Sequence, residues 1–290
     1  MSKDKSRSVL FGTPFYDYQL AYSYRNLYEM RAAELQSEYA TMVNLGGVIP
    51  FSSIDWRGKA ALVLFLRRCP FRCCYCQNYQ LLEADNYVPL STIVQTIRDN
   101  ERFIDAVVIS GGEPFMQPQV LRAISSFIHS RSLACAVQSN GYYPDAVESL
   151  LSIHAIDKLF LDIKAPMDGR AYEELTQAPG SSARVKRTLQ LVLDYQLDTE
   201  LITTVFKHIV GAPEVLSIAQ SLYSLGAAHL PYIIQQGRIE RIPPHSHLTK
   251  ANVFSYDELL EIAARVHHTV RLHDIRIRTR EKGEEVLYHS

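Results

Sequence analysis

From Lys59 onward the chain alternates short β-branched or apolar runs with amphipathic helical patterns, which confines it to parallel strands joined by crossover helices. The strand runs are 61–66, 106–109, 134–137, 158–163, 201–206 and 232–234. Helical patterns at 91–97, 120–128, 146–151, 183–195 and 214–225 lie between them, and a last helix follows Ser255-Tyr256-Asp257-Glu258, which has the form of a capping box. Six strand–helix units are too few to close an eight-unit barrel. The expectation is therefore an α/β fold, a partial (β/α)6 barrel with its chemistry at the C-terminal ends of the strands. Residues 270–278 are expected to add an edge strand. The first 45 residues differ in kind: Tyr16, Tyr18, Tyr22, Tyr24, Tyr28 and Tyr39 fall in or near a helix-compatible run from about 18 to 42. The division expected is an N-terminal helical extension, 1–45, and a barrel domain, 46–290.

Composition narrows the setting. The 290 residues, 47% hydrophobic, are ample for a core, and 30 Lys plus Arg against 31 Asp plus Glu leave no net field to favour nucleic acid or a membrane surface. Residues 1–7 are charged with no apolar run behind them, and no stretch is long enough to cross a bilayer, so a cytoplasmic protein is expected. Four of the five cysteines lie between 69 and 76, too close for a disulfide framework. A reducing compartment and a metal site fit better.

The loop after the first strand reads Arg68-Cys69-Pro70-Phe71-Arg72-Cys73-Cys74-Tyr75-Cys76-Gln77-Asn78, a C-x3-C-x2-C spacing. Cys69, Cys73 and Cys76 can bind three irons of a 4Fe-4S cubane and leave the fourth iron open to a ligand. A structural zinc site takes four protein ligands; with no further cysteine pair, zinc would need one of the ten histidines to complete it. Cys74 has no assigned ligand role, and Cys135, in a strand run, reads as a small buried hydrophobe.

This loop, with the aromatic Tyr75 just before its last cysteine, resembles the radical S-adenosylmethionine (SAM) superfamily. The resemblance implies a 4Fe-4S cluster whose open iron chelates the amino and carboxylate groups of SAM. One electron then yields methionine and a 5′-deoxyadenosyl radical that abstracts hydrogen. Ser110-Gly111-Gly112-Glu113-Pro114, one strand later, is similar to the superfamily's GGE segment; by itself it reads as a tight turn, whose glycines let backbone approach a ligand. Period-2 alternation puts Asp162 and Lys164 on one face of the fourth strand, as an internal ion pair or as ligand contacts. They resemble the Asp-x-Lys of glycyl-radical activating enzymes, which implies Lys164 near the methionine carboxylate and Asp162 near the ribose or substrate. Gln138-Ser139-Asn140-Gly141 resembles those enzymes' Asp-Thr-Asn-Gly, with Ser139 and Asn140 as polar lining. Gln138 replaces the acid, which puts a monovalent-cation site in doubt. Tyr75, Gly111, Gly112, Glu113, Ser139, Asn140, Asp162 and Lys164 are thus the expected SAM contacts, with Asp162 and Lys164 also catalytic. Residues 209–214 and 232–236 are expected near the adenine, the former reading equally as a βα turn with a Pro-initiated helix.

The stretch from Gly46 to Lys59 resembles the opening of anaerobic ribonucleoside-triphosphate reductase activating proteins; a loop and edge strand closing the barrel is the plainer account. The likeness runs from about 46 to 238, extends less surely through 276–280, and does not cover 1–44. It implies hydrogen abstraction from a glycine of a glycyl-radical enzyme, under anaerobic conditions, with an electron donor such as flavodoxin or ferredoxin. Two spare cysteines cannot supply a second four-thiolate cluster. A radical SAM enzyme acting on a small molecule or another peptide is the alternative, and a zinc module the third.

Overall fold

The apolar runs become the central strands of one ten-stranded sheet. The computed structural model describes residues 41–290, and the account below concerns the unit Met42–Ser290. Its strands are β1 (Met42–Ser52), β2 (Ala61–Leu66), β3 (Tyr87–Pro89), β4 (Ala106–Gly111), β5 (Ala134–Ser139), β6 (Lys158–Asp162), β7 (Asp198–Val205), β8 (Tyr232–Gln236), β9 (Asp274–Thr279) and β10 (Gly283–His289). The helices are α1 (Leu90–Asn100), α2 (Pro118–Ser130), α3 (Pro144–Leu151), α4 (Arg170–Thr176), α5 (Ser181–Asp194), α6 (Ala212–Ser224) and α7 (Tyr256–Thr269). Sheet order is β10-β9-β8-β7-β6-β5-β4-β2-β1-β3, parallel from β2 through β9 and antiparallel at the margins.

The sheet does not close, and the expected partial barrel is present, each of β2, β4, β5, β6, β7 and β8 being followed by a helix before the next parallel strand. Two expectations are corrected. β9 is no edge, because the polar stretch 283–289 turns back at Gly283 (φ 71°) and pairs outside it as β10. Sequence periodicity misses β10 because it has no buried residue. β1 begins at Met42, so the last four residues assigned to the N-terminal extension, 42–45, are strand; Val43 and Leu45 supply the buried positions that hold them. Residues 1–40 of that extension, with the helix expected from about 18, lie outside the described residues. β1 is an inner strand between β2 and β3, and its register shifts between Leu45 and Gly47, where a Cβ on Gly46 would lie 2.9 Å from the Leu81 side chain.

Strand alternation sorts side chains onto two faces. The outer set, including Leu62, Leu64, Ile109, Val137, Leu161 and Ile234, packs with the helices into the main core. The inner set, Val63, Val108, Ala136, Phe160, Ile202 and Ile233, forms a second core with Trp56. Trp56, from the β1–β2 connection, meets Phe160 edge-on at 6.2 Å and is only 8% exposed. It caps the inner face near the starts of β2 and β4, so the apolar floor lies away from the strand ends that carry the loops.

The arm formed by β6, β7, β9 and β10 is held differently. Glu200 on β7 faces Lys158 at 3.1 Å, Arg276 at 3.7 Å and Arg278 at 3.8 Å. Arg276 also grips Asp274 and Glu284, and Arg278 grips Glu284 at 2.6 Å. Desolvation offsets much of the attraction in such a network, so its value is in fixing the register of the arm more than in net stability.

Candidate active site

The cysteine loop leaves β2 through Arg68, a non-glycine residue at φ 72°. That left-handed turn is held by Arg68 N–H donating to the Leu81 carbonyl (2.9 Å) and by the guanidinium bonded to Asp85 at 2.7 Å. It presents the Arg68 carbonyl to Glu113 N–H, at 2.8 Å, while the Leu66 carbonyl accepts from Gly112 N–H at 2.9 Å. The two backbones touch: a Cβ on Gly112 would lie 2.0 Å from Arg68 O, and one on Gly111, whose φ is 123°, would lie 2.1 Å from Leu66 O. These glycines are therefore more than a tight turn. They let the loop after β4 lie directly against the cysteine loop.

Asn140 completes the junction. Its Nδ2 donates to Cys69 Sγ at 3.4 Å and its backbone N–H to Glu113 Oε2 at 2.8 Å. Glu113, fully buried, also accepts from Ser139 Oγ (2.9 Å) and Phe115 N–H (3.0 Å) through Oε1. Burial pushes its carboxyl up to about 7, against the pull of those three hydrogen bonds. A fully buried carboxylate with three donors and, among the described residues, no cation is poised to receive a positive group. Burial likewise pushes the Cys73 thiol up to about 12 and raises Cys69 and Cys76, with the Glu113 charge adding to the effect on Cys69. Such thiols ionise only against strong local positive charge, which bound metal provides. Among the described residues no three or more His, Cys, Asp and Glu side chains are arranged to hold a single metal ion. A cubane asks for a different arrangement, in which each thiolate meets its own iron.

Asp162 and Lys164 form a direct ion pair of 2.9 Å at the end of β6. Burial pulls the Lys164 pKa down, but the Asp162 carboxylate holds it well above the lysine range. Lys164 N–H donates to the Tyr172 hydroxyl at 3.0 Å, which ties the pair to α4, an element too short and polar to be read from periodicity. The Lys164 ammonium sits 5.9 Å from the Tyr75 ring centre, and that ring packs on Phe206 at 5.4 Å. Tyr75 is buried, and its hydroxyl has no hydrogen-bond partner among the described residues.

Gln138 is bonded rather than free: its Oε1 accepts from Ser110 Oγ at 2.6 Å, joining β4 and β5 across the inner face. Further along the mouth, Gln235 joins Thr204 on β7 to Arg278 on β9. No motif singles out Thr204, and Arg278 falls only in the less sure likeness at 276–280, though alternation along β7 and β9 places both on the inner face. Residues 209–214 behave as a βα turn, Glu214 Oε2 capping Gly211 N–H at 2.8 Å at the start of α6. Two residues past the end of β8, the Arg238 carbonyl meets the cysteine loop, accepting from the Gln77 side chain at 2.7 Å.

A family model described as the radical SAM superfamily matches residues 63–214, just over half of the chain. A relative from Methanocaldococcus jannaschii, provisionally named a glycyl-radical enzyme activating enzyme, is 27% identical over 183 residues, 61% of this chain and 75% of its own length. One from Haemophilus influenzae with the same provisional name is 31% identical over 127 residues, 42% of this chain and 47% of its own length, so the chain spans less than half of it. Among solved structures, a radical SAM methyltransferase from Sphaerobacter thermophilus aligns with a TM-score of 0.60 at 11% identity, over 77% of this chain and 67% of that one. TYW1 with a lysine-pyruvate adduct bound aligns at 0.55 and 18% identity, over 77% of both chains. At these identities the two structures speak for the fold alone. No helix among the described residues is long and apolar enough to cross a membrane.

Proposed function

The chain belongs to the radical SAM superfamily, and we propose that it activates a glycyl-radical enzyme, with Cys69, Cys73 and Cys76 holding a 4Fe-4S cluster and SAM bound beside it. The superfamily implies both cofactors, and the residues present fit them: a thiol set needing metal to ionise, held directly against the loop after β4 by the bare Gly111 and Gly112, and a buried carboxyl with no cation beside it among the described residues. When bound, the reduced cluster and SAM together supply the hydrogen-abstracting power. The protein's own part is placement. Glu113, oriented by Ser139, Asn140 and Phe115, would take the methionine ammonium, and the Gly111–Gly112 backbone, packed on Leu66 and Arg68, sets Glu113 against the cysteine loop. Lys164 takes the methionine carboxylate, while Asp162 keeps the lysine charged and faces the ribose or the substrate. Tyr75 and Phe206 form the apolar wall beside Lys164 that excludes water.

The observation that carries this reading is the Asp162–Lys164 pair set against Tyr75 of the cysteine loop, in a chain whose two relatives above are both provisionally named for glycyl-radical activation. Reduced, reconstituted protein mixed with SAM and a candidate glycyl-radical partner, with flavodoxin or ferredoxin as electron donor, should give the partner a radical doublet in electron paramagnetic resonance. SAM cleavage with no doublet in any candidate partner would sink the reading. The second reading, radical chemistry on a small molecule or another peptide in the cytoplasm, is favoured by Gln138, whose amide is committed to Ser110 where the activating enzymes carry an acid.

A further inference from the structure

The inner face of the sheet changes from an apolar floor to a polar mouth. Floor residues Val63, Val108, Ala136 and Ile233 are fully buried, whereas Gln138, Asp162, Thr204, Gln235 and Arg278 at the mouth keep partial exposure. Each cation on this face is already matched. Lys158 has Asp198 and Glu200, Lys164 has Asp162, Arg276 has Asp274 and Glu284, and Arg278 has Glu284 with Glu200 behind it. An anionic substrate therefore meets no unneutralised cation on this wall among the described residues.

The uncommitted valences there are neutral. Gln235 Nε2 donates to Thr204 Oγ1 at 3.1 Å, and Gln235 Oε1 accepts from Arg278 at 3.0 Å. An amide has two N–H groups and two carbonyl lone pairs, so one of each is left, with its plane fixed by a neighbour on either side. The Thr204 oxygen is used as acceptor, which leaves its own O–H to donate. A peptide unit offers one C=O and one N–H and asks for that complement. Arg278, discharged by two carboxylates, serves to hold Gln235 rather than to capture an acid.

Building on the glycyl-radical reading, we infer that Gln235, braced by Thr204 and Arg278, is the positioning residue that takes the main chain of the segment carrying the target glycine. The site thus selects an uncharged, extended stretch of backbone. It disfavours small molecules that need a cation for a carboxylate or phosphate.

The test uses the full chain, anaerobically reconstituted and saturated with SAM, titrated with the capped neutral peptide acetyl-Ala-Ala-Gly-Ala-Ala-amide and its dianionic counterpart acetyl-Asp-Ala-Gly-Ala-Asp-amide. Wild type should bind the neutral peptide at least about fivefold more tightly, since a carboxylate that loses water without gaining a cation is penalised. Gln235→Leu and Thr204→Val should each weaken the neutral peptide by about tenfold, the worth of one good hydrogen bond, and Thr204→Val, which lies outside every segment assigned to SAM, should leave the SAM Kd and the peptide-free rate of SAM cleavage unchanged. If Gln235→Leu does not fold, Gln235→Glu, which keeps shape and the Arg278 contact but loses the amide N–H groups, should move in the same direction. Failure of the neutral peptide to saturate wild type overturns the inference. So does equal binding of the dianionic peptide, or, in Thr204→Val, a SAM Kd that moves as far as the peptide's. Failure of the glycyl-radical reading is separate: it shows as a missing doublet on the partner, while the peptide titration still reports whether the wall binds main chain.

Discussion

The two arms of the open barrel are built by different means. On the arm of β2, β4 and β5, position is set by backbone: carbonyls of Leu66 and Arg68 accept from Gly112 and Glu113, and Gly111 and Gly112 leave no room for a side chain. On the arm of β7, β9 and β10, position is set by side-chain charge, with Glu200 and Glu284 shared between Arg276 and Arg278. Backbone contact is intolerant of small errors because it has no rotamers with which to adjust. A side-chain network has several partners for each charge and yields by degrees. The first arrangement suits a cofactor of fixed shape, the second a surface that must accept a segment of another chain.

If that contrast is right, the largest effect belongs to the smallest change. Gly112→Ala forces a methyl group to within 2.0 Å of Arg68 O, and should abolish cluster uptake after anaerobic reconstitution, read as lost iron and brown absorbance. The strain is about 3 kcal/mol or more, with nowhere to relax. Retained iron would break the comparison. Next comes Glu113→Gln, which preserves shape but removes the buried charge and turns an acceptor toward Asn140 N–H into a donor. SAM affinity measured by calorimetry should fall by roughly 10- to 100-fold, with iron content unchanged. On the other arm, Glu200→Gln strips the shared anion from among Lys158, Arg276 and Arg278 and should cost about 2–3 kcal/mol in chemical denaturation, with SAM affinity intact. A loss of SAM binding in this variant would show that the arms are not independent. The smallest effect is expected of Arg57→Ala, which removes a 3.6 Å contact from a half-exposed arginine to Glu284 and should change stability by about 0.5 kcal/mol or less.

The same contrast explains how much is legible in the sequence. The near arm is written in contiguous segments, 66–78, 110–114 and 138–141, so residue types and spacing alone announce it. The parallel strands are legible because their central residues are apolar on both faces, as in the burial of β4 from Ala106 to Ser110. The far arm is scattered from Lys158 to Glu284, and no local pattern says that Glu200 will meet Arg276 and Arg278. Only alternation hints that these charges point inward, and alternation cannot name partners. β10 and α4 escape a reading by pattern because both are half-exposed and lack the apolar period that such a reading requires. The start of β1 at Met42 escapes it because Leu45-Gly46-Gly47 reads as a break in the chain, whereas it is a register shift in a continuing strand.

Trp56 is the chain's single tryptophan, and its position on the inner floor makes the protein its own optical instrument. Its emission arises from one known place, beneath Phe160 and flanked by the Lys59 ammonium 5.3 Å from the ring. Light absorbed elsewhere contributes no competing indole signal. Loss of the floor packing should therefore appear as a red shift of a single emitter, and a visible-absorbing iron–sulfur chromophore in the cysteine loop as quenching without a shift.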